Sequence, residues 1–299
     1  MSMGFLGVST GQSSIMRVFP AWARILGLPT TQLTGFDLPL DADRDEYRAV
    51  IRRIAEDPRM PGALITTHKI AVYQAAADLF AELDPFAALC GEISSVSKRD
   101  GKLIGHAKDP ITAGLAIEEF LAADHFATTG ADLLCLGAGG AGTAIVWYLA
   151  HRADPPRRIV CTDTDGTRLA ALESVLRRGG VAARLSTVVV DGPVDELVAG
   201  LPAGSLVVNA TGLGKDRPGS PVTARVRFPR AGLIWELNYR GSLEFLASAR
   251  NRQAADGLTV IDGWRYFIHG WSQVIAEVFA LHLDPATVHR LSDAALAVR

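Results

Sequence analysis

The sequence predicts an α/β protein of two domains, and three observations support this. Apolar runs of strand length alternate with helix-compatible segments along nearly the whole chain. One run, Leu133–Leu136, ends in the glycine cluster Gly137–Gly142, and a helix-compatible stretch follows at once. This order of strand, turn and helix is the context in which G-x-G-x-x-G indicates a Rossmann-type dinucleotide-binding unit. The chain has 299 residues, which is long for one core and favours two domains.

The composition is that of an ordinary soluble globular protein, with 48% hydrophobic and 21% charged residues. The formal net charge is −2 and no basic tract is interleaved with aromatic residues, so nucleic acid is not an expected partner. The three cysteines are scattered without metal-ligand spacing, which favours a reducing compartment and no metal site. The N-terminus lacks a signal-peptide pattern, and no apolar run reaches membrane-spanning length. We therefore expect a cytoplasmic protein without a membrane partner.

The first third of the chain predicts a β-α-β-α-β-α unit. Val18, Trp22 and Leu26 recur at helical spacing, and Asp43 or Asp45 can cap a second helix with a charged face. The predicted strands cover 5–8, 34–38 and 62–67, and the predicted helices cover 16–26, 43–57 and 70–79. Together these elements form a small α/β domain of their own.

A hairpin and a helix lead from this unit to the glycine-rich one. The dipeptide Asp100-Gly101 lies between the extended runs 93–98 and 102–105, and Asp-Gly in that position favours a hairpin turn. A helix over 111–122 then bridges the two domains. Later strands over 186–190, 206–209, 233–237 and 259–261 alternate with helices, as in a doubly wound parallel sheet, and a last helix covers 266–281.

The glycines of the cluster have separate backbone roles. Gly137 permits a sharp turn, Gly139 lets the backbone approach a pyrophosphate, and Gly142 lets the helix pack closely on its strand. The first helical N–H groups would then face the phosphates. A glycine-rich turn in an ordinary α/β protein is the alternative.

An acid at the end of the following strand indicates which cofactor to expect. Asp163 ends the run 157–163 and lies 26 positions after Gly137, beyond the usual spacing of about 20. A carboxylate there can accept hydrogen bonds from ribose hydroxyls and repels a 2′-phosphate, so NAD is expected rather than NADP. Asp165 is a competing candidate, and a solvated turn aspartate is the alternative for either residue.

Seven segments in order resemble motifs of the shikimate/quinate dehydrogenase family over nearly the whole chain. They cover 7–14, 62–69, 93–109, 137–142, 208–214, 236–239 and 262–263. The resemblance implies an N-terminal substrate domain over 1–110, completed by C-terminal helices over 265–299. It also implies a Rossmann domain over 111–264 and a cleft between the domains. The expected partners are a small cyclic substrate and, as one option, a second copy of the chain in a homodimer.

Two residues carry the oxidoreductase chemistry that the resemblance implies. Hydride transfer from an alcohol carbon also requires a proton to leave the oxygen. Lys69 and Asp109 match the family positions for this task, because a shielded lysine has a lowered pKa that a neighbouring carboxylate raises again. The alternatives are that Lys69 only starts a helix and that Asp109 is the N-cap before Pro110.

The substrate-binding half departs from the family pattern. The residues that keep a family position, or could replace a lost contact, are Ser13, Thr66 or Thr67, Ser94, Tyr239 and His269. Ile15, Ala107 and Gly270 stand where the family has polar residues. Each unmade buried hydrogen bond costs about 1–3 kcal/mol, so a polyhydroxylated acid would bind poorly. We expect a cyclic substrate that is larger or more apolar than shikimate, in specialised metabolism.

The resemblance and the acid at the end of the second Rossmann strand together give a set of expected cofactor-binding residues. They are Gly137, Ala138, Gly139, Gly140, Ala141, Asp163, Asn209, Ala210, Thr211, Leu237 and Gly263. The family's Asn-Arg-Thr after the second Rossmann strand is replaced by Asp163-Thr164-Asp165, and the loss of the arginine again favours NAD. Two alternatives stay open: a true shikimate or quinate dehydrogenase with an unusual pocket, and a non-catalytic NAD-binding regulatory protein.

Overall fold

Two six-stranded sheets organise the structure, which is a computed structural model describing residues 1–181, 184–215 and 217–297. The chain divides into one unit of Met1–Thr112 with Ile268–Arg299 and a second unit of Ala113–Phe267. The chain passes from one unit to the other within two helices, Asp109–Ile117 and Trp264–Phe279. The mixed α/β class predicted from the sequence is confirmed.

The first unit contains a mixed sheet. Its strands are β1 (Met3–Gly7), β2 (Leu33–Asp37), β3 (Gly62–Ile65), β4 (Glu82–Leu83), β5 (Ser95–Arg99) and β6 (Lys102–His106). Its helices are α1 (Ile15–Ile25), α2 (Arg44–Glu56), α3 (Lys69–Ala76), α4 (Pro85–Cys90), the start of α5 (Asp109–Ile117), most of α11 (Trp264–Phe279) and α12 (Pro285–Leu296). The strand order is β2-β1-β3-β5-β6-β4, with β5 antiparallel to both of its neighbours.

Local sequence signals explain several of these elements. A reciprocal capping box between Asp43 and Glu46 starts α2. The turn between β5 and β6 needs positive φ at both central residues, and Asp100 and Gly101 supply φ values of 52° and 74°. The predicted Asp-Gly hairpin is therefore present.

The second unit contains a parallel sheet. Its strands are β7 (Leu133–Leu136), β8 (Ile159–Asp163), β9 (Leu185–Val189), β10 (Leu206–Asn209), β11 (Leu233–Glu236) and β12 (Thr259–Ile261). Its helices are α6 (His125–Thr129), α7 (Gly140–His151), α8 (Gly166–Arg178), α9 (Asp195–Ala199) and α10 (Glu244–Asp256). The order β12-β11-β10-β7-β8-β9 is that of a Rossmann fold, in which the order reverses between β7 and β10.

Several predicted helix boundaries need correction. The helix expected over 111–122 begins at Asp109 and ends at Ile117. The helix expected from 70 begins one residue earlier and is continued after Ala76 by a short 3₁₀ turn. The helix after the glycine cluster begins at Gly140, because the glycines at its start follow helical geometry despite their low helix propensity. Within the described ranges, no helix has both the length and the apolarity that crossing a membrane requires.

Candidate active site

Lys69 and Asp109 form an ion pair in the first unit. Lys69 is the first residue of α3 and Asp109 is the first residue of α5, and the Lys69 Nζ donates to Asp109 Oδ2. The Lys69 side chain is 23% exposed, whereas the Asp109 side chain is only 8% exposed. The lysine is therefore the more accessible member of the pair. Each residue does start a helix, as the structural alternatives proposed, but their side chains are directed at each other.

The strand topology explains why residues 40 positions apart in sequence meet. Lys69 follows β3 and Asp109 follows β6. Because β5 runs antiparallel to both strands, β3 and β6 end at the same edge of the sheet. This edge, where the carboxyl ends of β1, β2, β3 and β6 lie, is called the site edge below.

The charge state of Lys69 follows from its neighbours. Burial alone lowers the pKa of this ammonium, but the negative charges of Asp109 and Glu92 outweigh burial and raise the pKa above its ordinary value. Lys69 is therefore a cation at neutral pH. It can donate a hydrogen bond or a proton to an oxygen atom placed beside it.

Glu92 is a second acid beside Lys69, and the sequence analysis missed it. It lies between α4 and β5, is 2% exposed, and its Oε1 has no hydrogen-bond partner among the described residues. Burial raises its pKa to about 8, with Asp109 and Asp84 acting in the same direction and Lys69 opposing them. The only sequence signal is an isolated acid within the otherwise uncharged segment 85–97.

Four polar residues predicted for substrate binding lie at the site edge of the first unit. Ser13 follows β1 and is half-buried, Thr66 and Thr67 follow β3, and Ser94 precedes β5. The Thr66 hydroxyl donates to the Leu6 carbonyl at 3.2 Å, whereas Thr67 is exposed. The Ser94 hydroxyl accepts from the Lys108 N–H at 2.7 Å and is buried. Thr67 is thus the threonine more available to a ligand.

His269 and Tyr239 belong to different units. His269 is buried on the part of α11 that belongs to the first unit. Tyr239 is half-buried in the second unit, where its ring centroid lies 4.5 Å from that of Phe267 and 5.7 Å from that of Trp264. Ile15, expected to make the ligand site more apolar, is fully buried in α1 and is instead a core residue.

The glycine loop of the second unit has the geometry of a phosphate-binding turn. Gly137 has a φ of 105°, and a Cβ at this position would lie 2.7 Å from the Ala210 carbonyl oxygen. A Cβ on Gly142 would lie 1.9 Å from the Gly137 carbonyl oxygen, so the helix and the turn approach each other as closely as glycine permits.

The start of α7 borders open space. Gly139 is the N-cap of α7, and a Cβ placed on it would meet no atom within 4 Å. The N–H groups of Gly140 and Ala141 follow it in the first turn, where helix geometry leaves such groups without intrahelical partners. The residues present therefore fit the phosphates of a dinucleotide.

Asp163 connects the glycine loop to β8. Its Oδ2 accepts from the Ala138 N–H at 2.8 Å, and its Oδ1 accepts from the Asp165 N–H at 3.0 Å. Asp165 in turn caps α8 through the Thr167 N–H. A carboxylate has about four acceptor positions, so Asp163 retains capacity for ribose hydroxyls.

The loop after β10 is held by a buried acid that the sequence analysis did not single out. Asn209 donates from Nδ2 to Glu236 Oε2 at 2.7 Å, and its Oδ1 accepts from the N–H and the hydroxyl of Thr211. Burial raises the pKa of Glu236 to about 7, although hydrogen bonds from Asn238 and Asn209 oppose this. Gly263 packs against Leu237, since a Cβ there would lie 1.9 Å from the Leu237 carbonyl oxygen.

Curated relatives are shikimate dehydrogenases. The shikimate dehydrogenase (NADP(+)) of Streptococcus gordonii is 28% identical over 237 residues, covering 78% of this chain and 76% of that protein. That of Methylobacterium radiotolerans is 29% identical over 252 residues, covering 83% and 80%. The match to the Streptococcus suis enzyme spans 64% of that protein's length. No family model matches the sequence.

Solved structures with the same fold cover almost the entire chain. Quinate dehydrogenase from Corynebacterium glutamicum in complex with NAD has a TM-score of 0.74 at 22% identity, covering 99% of each chain. Shikimate 5-dehydrogenase from Thermus thermophilus in complex with NADP(H) and shikimate has a TM-score of 0.74 at 24% identity, covering 100% of each. The 5-ketofructose reductase of a Gluconobacter species has a TM-score of 0.69 at 19% identity, covering 100% of this chain and 99% of that one. The chain is thus similar in sequence to shikimate dehydrogenases and shares its fold with solved shikimate and quinate dehydrogenases over almost its entire length.

Proposed function

We propose that the protein is an NAD-dependent dehydrogenase or reductase that interconverts a hydroxyl and a keto group on a small cyclic compound other than shikimate. The observation that carries the proposal is the partly buried ion pair between Lys69 and Asp109 at the site edge. Retention of this pair argues against a non-catalytic NAD-binding protein, because partly buried ionisable groups in contact are concentrated at functional sites.

The ion pair handles the proton that accompanies hydride transfer. A bound nicotinamide cofactor supplies or accepts the hydride. In the reductive direction, Lys69 Nζ hydrogen-bonds the substrate carbonyl oxygen and gives it a proton as the alcohol forms. Asp109 orients the ammonium and stabilises its charge. In the oxidative direction the pair takes the proton back from the hydroxyl.

The site edge supports a substrate more apolar than shikimate. Exposed apolar side chains follow three of its strands: Val8 after β1, Leu40 after β2 and Ile70 in the first turn of α3. Two of the expected polar groups, the hydroxyls of Thr66 and Ser94, already bond to backbone groups of the protein. A polyhydroxylated ring would thus meet fewer free polar partners than apolar ones.

Two acids support NAD over NADP. Asp163 and Asp165 lie at the end of β8, and Arg168 is within 4.0 Å of the Asp163 carboxylate and 3.7 Å of the Asp165 carboxylate. A 2′-phosphate there would meet two carboxylates and an arginine that is already paired with them. The curated relatives are NADP(+) enzymes, while the solved structures hold NAD or NADP(H), so the relatives alone favour NADP.

A second candidate is oxidation of shikimate or quinate itself. The names of the curated relatives favour it, as does retention of Ser13 and of a threonine after β3. It differs from the first candidate only in substrate, so the same assay distinguishes them.

The test is a substrate panel with both cofactors. NADH and NADPH affinities are measured by fluorescence titration, and turnover is then measured with shikimate, quinate, 5-ketofructose and less hydroxylated cyclic ketones. We expect tighter binding of NADH than of NADPH and the highest turnover with a less hydroxylated ring. Efficient shikimate turnover with NADP would contradict both parts of the proposal.

A further inference from the structure

Glu92 is buried next to the proposed proton-transfer pair, but the proposed reaction does not use it. The N–H of the next residue, Ile93, donates to the Lys69 carbonyl at 3.0 Å, which ties the backbone at Glu92 to the start of α3. On the other side of Glu92, Gly91 ends α4 in the left-handed conformation with a φ of 66°. Glu92 is thus fixed in the segment between two ordered elements.

A carboxylate would be costly at this position. Glu92 is 2% exposed, and its Oε1 has no hydrogen-bond partner among the residues that the structure describes. Burying an ionised carboxylate without partners is unfavourable, and the group takes up a proton instead. The raised pKa of Glu92, about 8, agrees with this geometry.

Three charged groups act on Glu92 from the elements around it. Lys69 on α3 favours its ionised form, whereas Asp109 on α5 and Asp84 before α4 oppose ionisation. Asp84 is itself an anion, because hydrogen bonds from His106 and from the N–H groups of Ala87 and Ala107 outweigh burial and lower its pKa. With Glu92 neutral, Lys69 and Asp109 balance each other's charge.

We propose that Glu92 is a positioning residue for the Lys69–Asp109 pair: as a neutral acid it leaves Lys69 able to release its proton, and when ionised it adds a second negative charge that holds the proton on Lys69. The inference rests on the proposed function. It makes the reductive direction slower above the pH at which Glu92 ionises, because the proton donor has become a weaker acid.

The first test measures proton coupling without any substrate. The protein is labelled with ¹³C at the glutamate carboxyl carbons, and Glu92 is identified by the signal that Glu92→Gln removes. We expect Glu92 to titrate near pH 8, to titrate higher in Lys69→Met, and to titrate lower in Asp109→Asn. A titration near the ordinary glutamate value, or one that neither variant moves, would overturn the inference.

The second test measures the pH profile of turnover. We expect the rate of ketone reduction in the unaltered protein to fall above about pH 8, and the ratio of the rate at pH 9 to that at pH 7 to rise in Glu92→Gln. Glu82→Gln, which changes an exposed glutamate on β4, is the matched control and leaves that ratio unchanged. An unchanged ratio in Glu92→Gln would also overturn the inference. If Glu92 titrates as expected in the first test but the protein turns over no substrate, the result would instead count against the proposed function.

Discussion

Asp109 gives Lys69 a property that an isolated buried lysine lacks. Burial alone would lower the pKa of the ammonium, and the neighbouring carboxylates raise it above the ordinary value. The result is a proton donor that stays charged at neutral pH and is held in one orientation by its partner.

Replacing Asp109 tests whether its carboxylate controls the charge and the orientation of Lys69. In Asp109→Asn the main negative charge beside Lys69 is gone, so the pKa of Lys69 falls and the alkaline limb of the reductive pH profile moves to lower pH. We also expect turnover to fall by about 10- to 100-fold, because the ammonium loses its orientation. The measurement is the pH dependence of kcat. A profile that matches that of the unaltered protein would show that Asp109 does not control Lys69.

Asp163 is expected to set the cofactor preference. Its replacement by Asn removes a negative charge at the end of β8 while keeping an acceptor oxygen for the Ala138 N–H. We expect the ratio of NADPH to NADH affinity to rise by about tenfold, which is about 1.4 kcal/mol. Glu173→Gln on α8 of the same unit is the control, and fluorescence titration gives both affinities. A ratio that stays constant would mean that Asp163 only supports the glycine loop.

Two of the charged residues at the site edge could be predicted from the sequence, and a third could not. Lys69 and Asp109 could be proposed because each lies in a motif that resembles a family pattern. Glu92 belongs to no such pattern, and its importance follows from burial and from proximity to residues 23 and 17 positions away in sequence. Only the packing of α3, α4 and α5 around one sheet edge brings these three groups together.

At the level of elements, the start of α7 contains one glycine whose replacement should affect cofactor binding and another whose replacement should affect stability. A methyl group added to Gly142 would lie 1.9 Å from a backbone oxygen, whereas a methyl group added to Gly139 would meet no atom within 4 Å. The φ of −71° at Gly139 also makes alanine acceptable at this position.

Alanine at position 139 should therefore weaken cofactor binding, whereas alanine at position 142 should lower stability. We expect Gly139→Ala to keep the Tm of the protein and to weaken NADH binding by at least about tenfold, since the methyl group takes space that the pyrophosphate would occupy. Gly142→Ala should lower stability by about 1–3 kcal/mol through overpacking. Thermal denaturation and NADH titration of both variants give the answer. Full NADH affinity in Gly139→Ala would place the pyrophosphate elsewhere.

Strands that are apolar runs between turn signals were predictable, whereas several short helices and the strand β4 were not. The strands 206–209 and 259–261 agree with β10 and β12, because each is an apolar run between turn signals. The two-residue strand β4 and the helices α4 and α6 were not predicted, and α9 was predicted only as a helix without bounds between two strands. A strand of two residues or a helix of five or six contains too few positions to show a period, and its pairing or packing depends on neighbours distant in sequence.

For the molecule as a whole, the described part of each unit contains one buried glutamate with a raised pKa: Glu92 in the first unit and Glu236 in the second. Both folded-state values lie above the unfolded value, so each of these two side chains binds more protons in the folded state than in the unfolded chain at a pH between the two values. The contribution of each glutamate to the free energy of unfolding is therefore greatest below its unfolded pKa and is lost as the pH rises through its folded pKa.

The raised pKa of Glu236 predicts how its contribution to stability depends on pH. The contribution of Glu236 to the free energy of unfolding should fall as the pH rises from about 4.5 to about 7, by on the order of 3 kcal/mol at 1.4 kcal/mol per pKa unit. Glu236→Gln should remove that part of the slope, because glutamine cannot ionise. Urea denaturation across this pH range measures it. Equal slopes in Glu236→Gln and in the unaltered protein would show that Glu236 ionises normally in the fold.

The most direct measurement of the central claim is the single-turnover rate of NADH oxidation with a ketone substrate from the panel, in Lys69→Met and in Lys102→Met. Lys102 is an exposed lysine on β6 of the same unit and serves as the control. We predict that Lys69→Met slows the reaction by at least about 100-fold at pH 7 while NADH affinity is retained, and that Lys102→Met leaves both unchanged. A Lys69→Met rate equal to that of the unaltered protein would contradict the assignment of proton transfer to the Lys69–Asp109 pair.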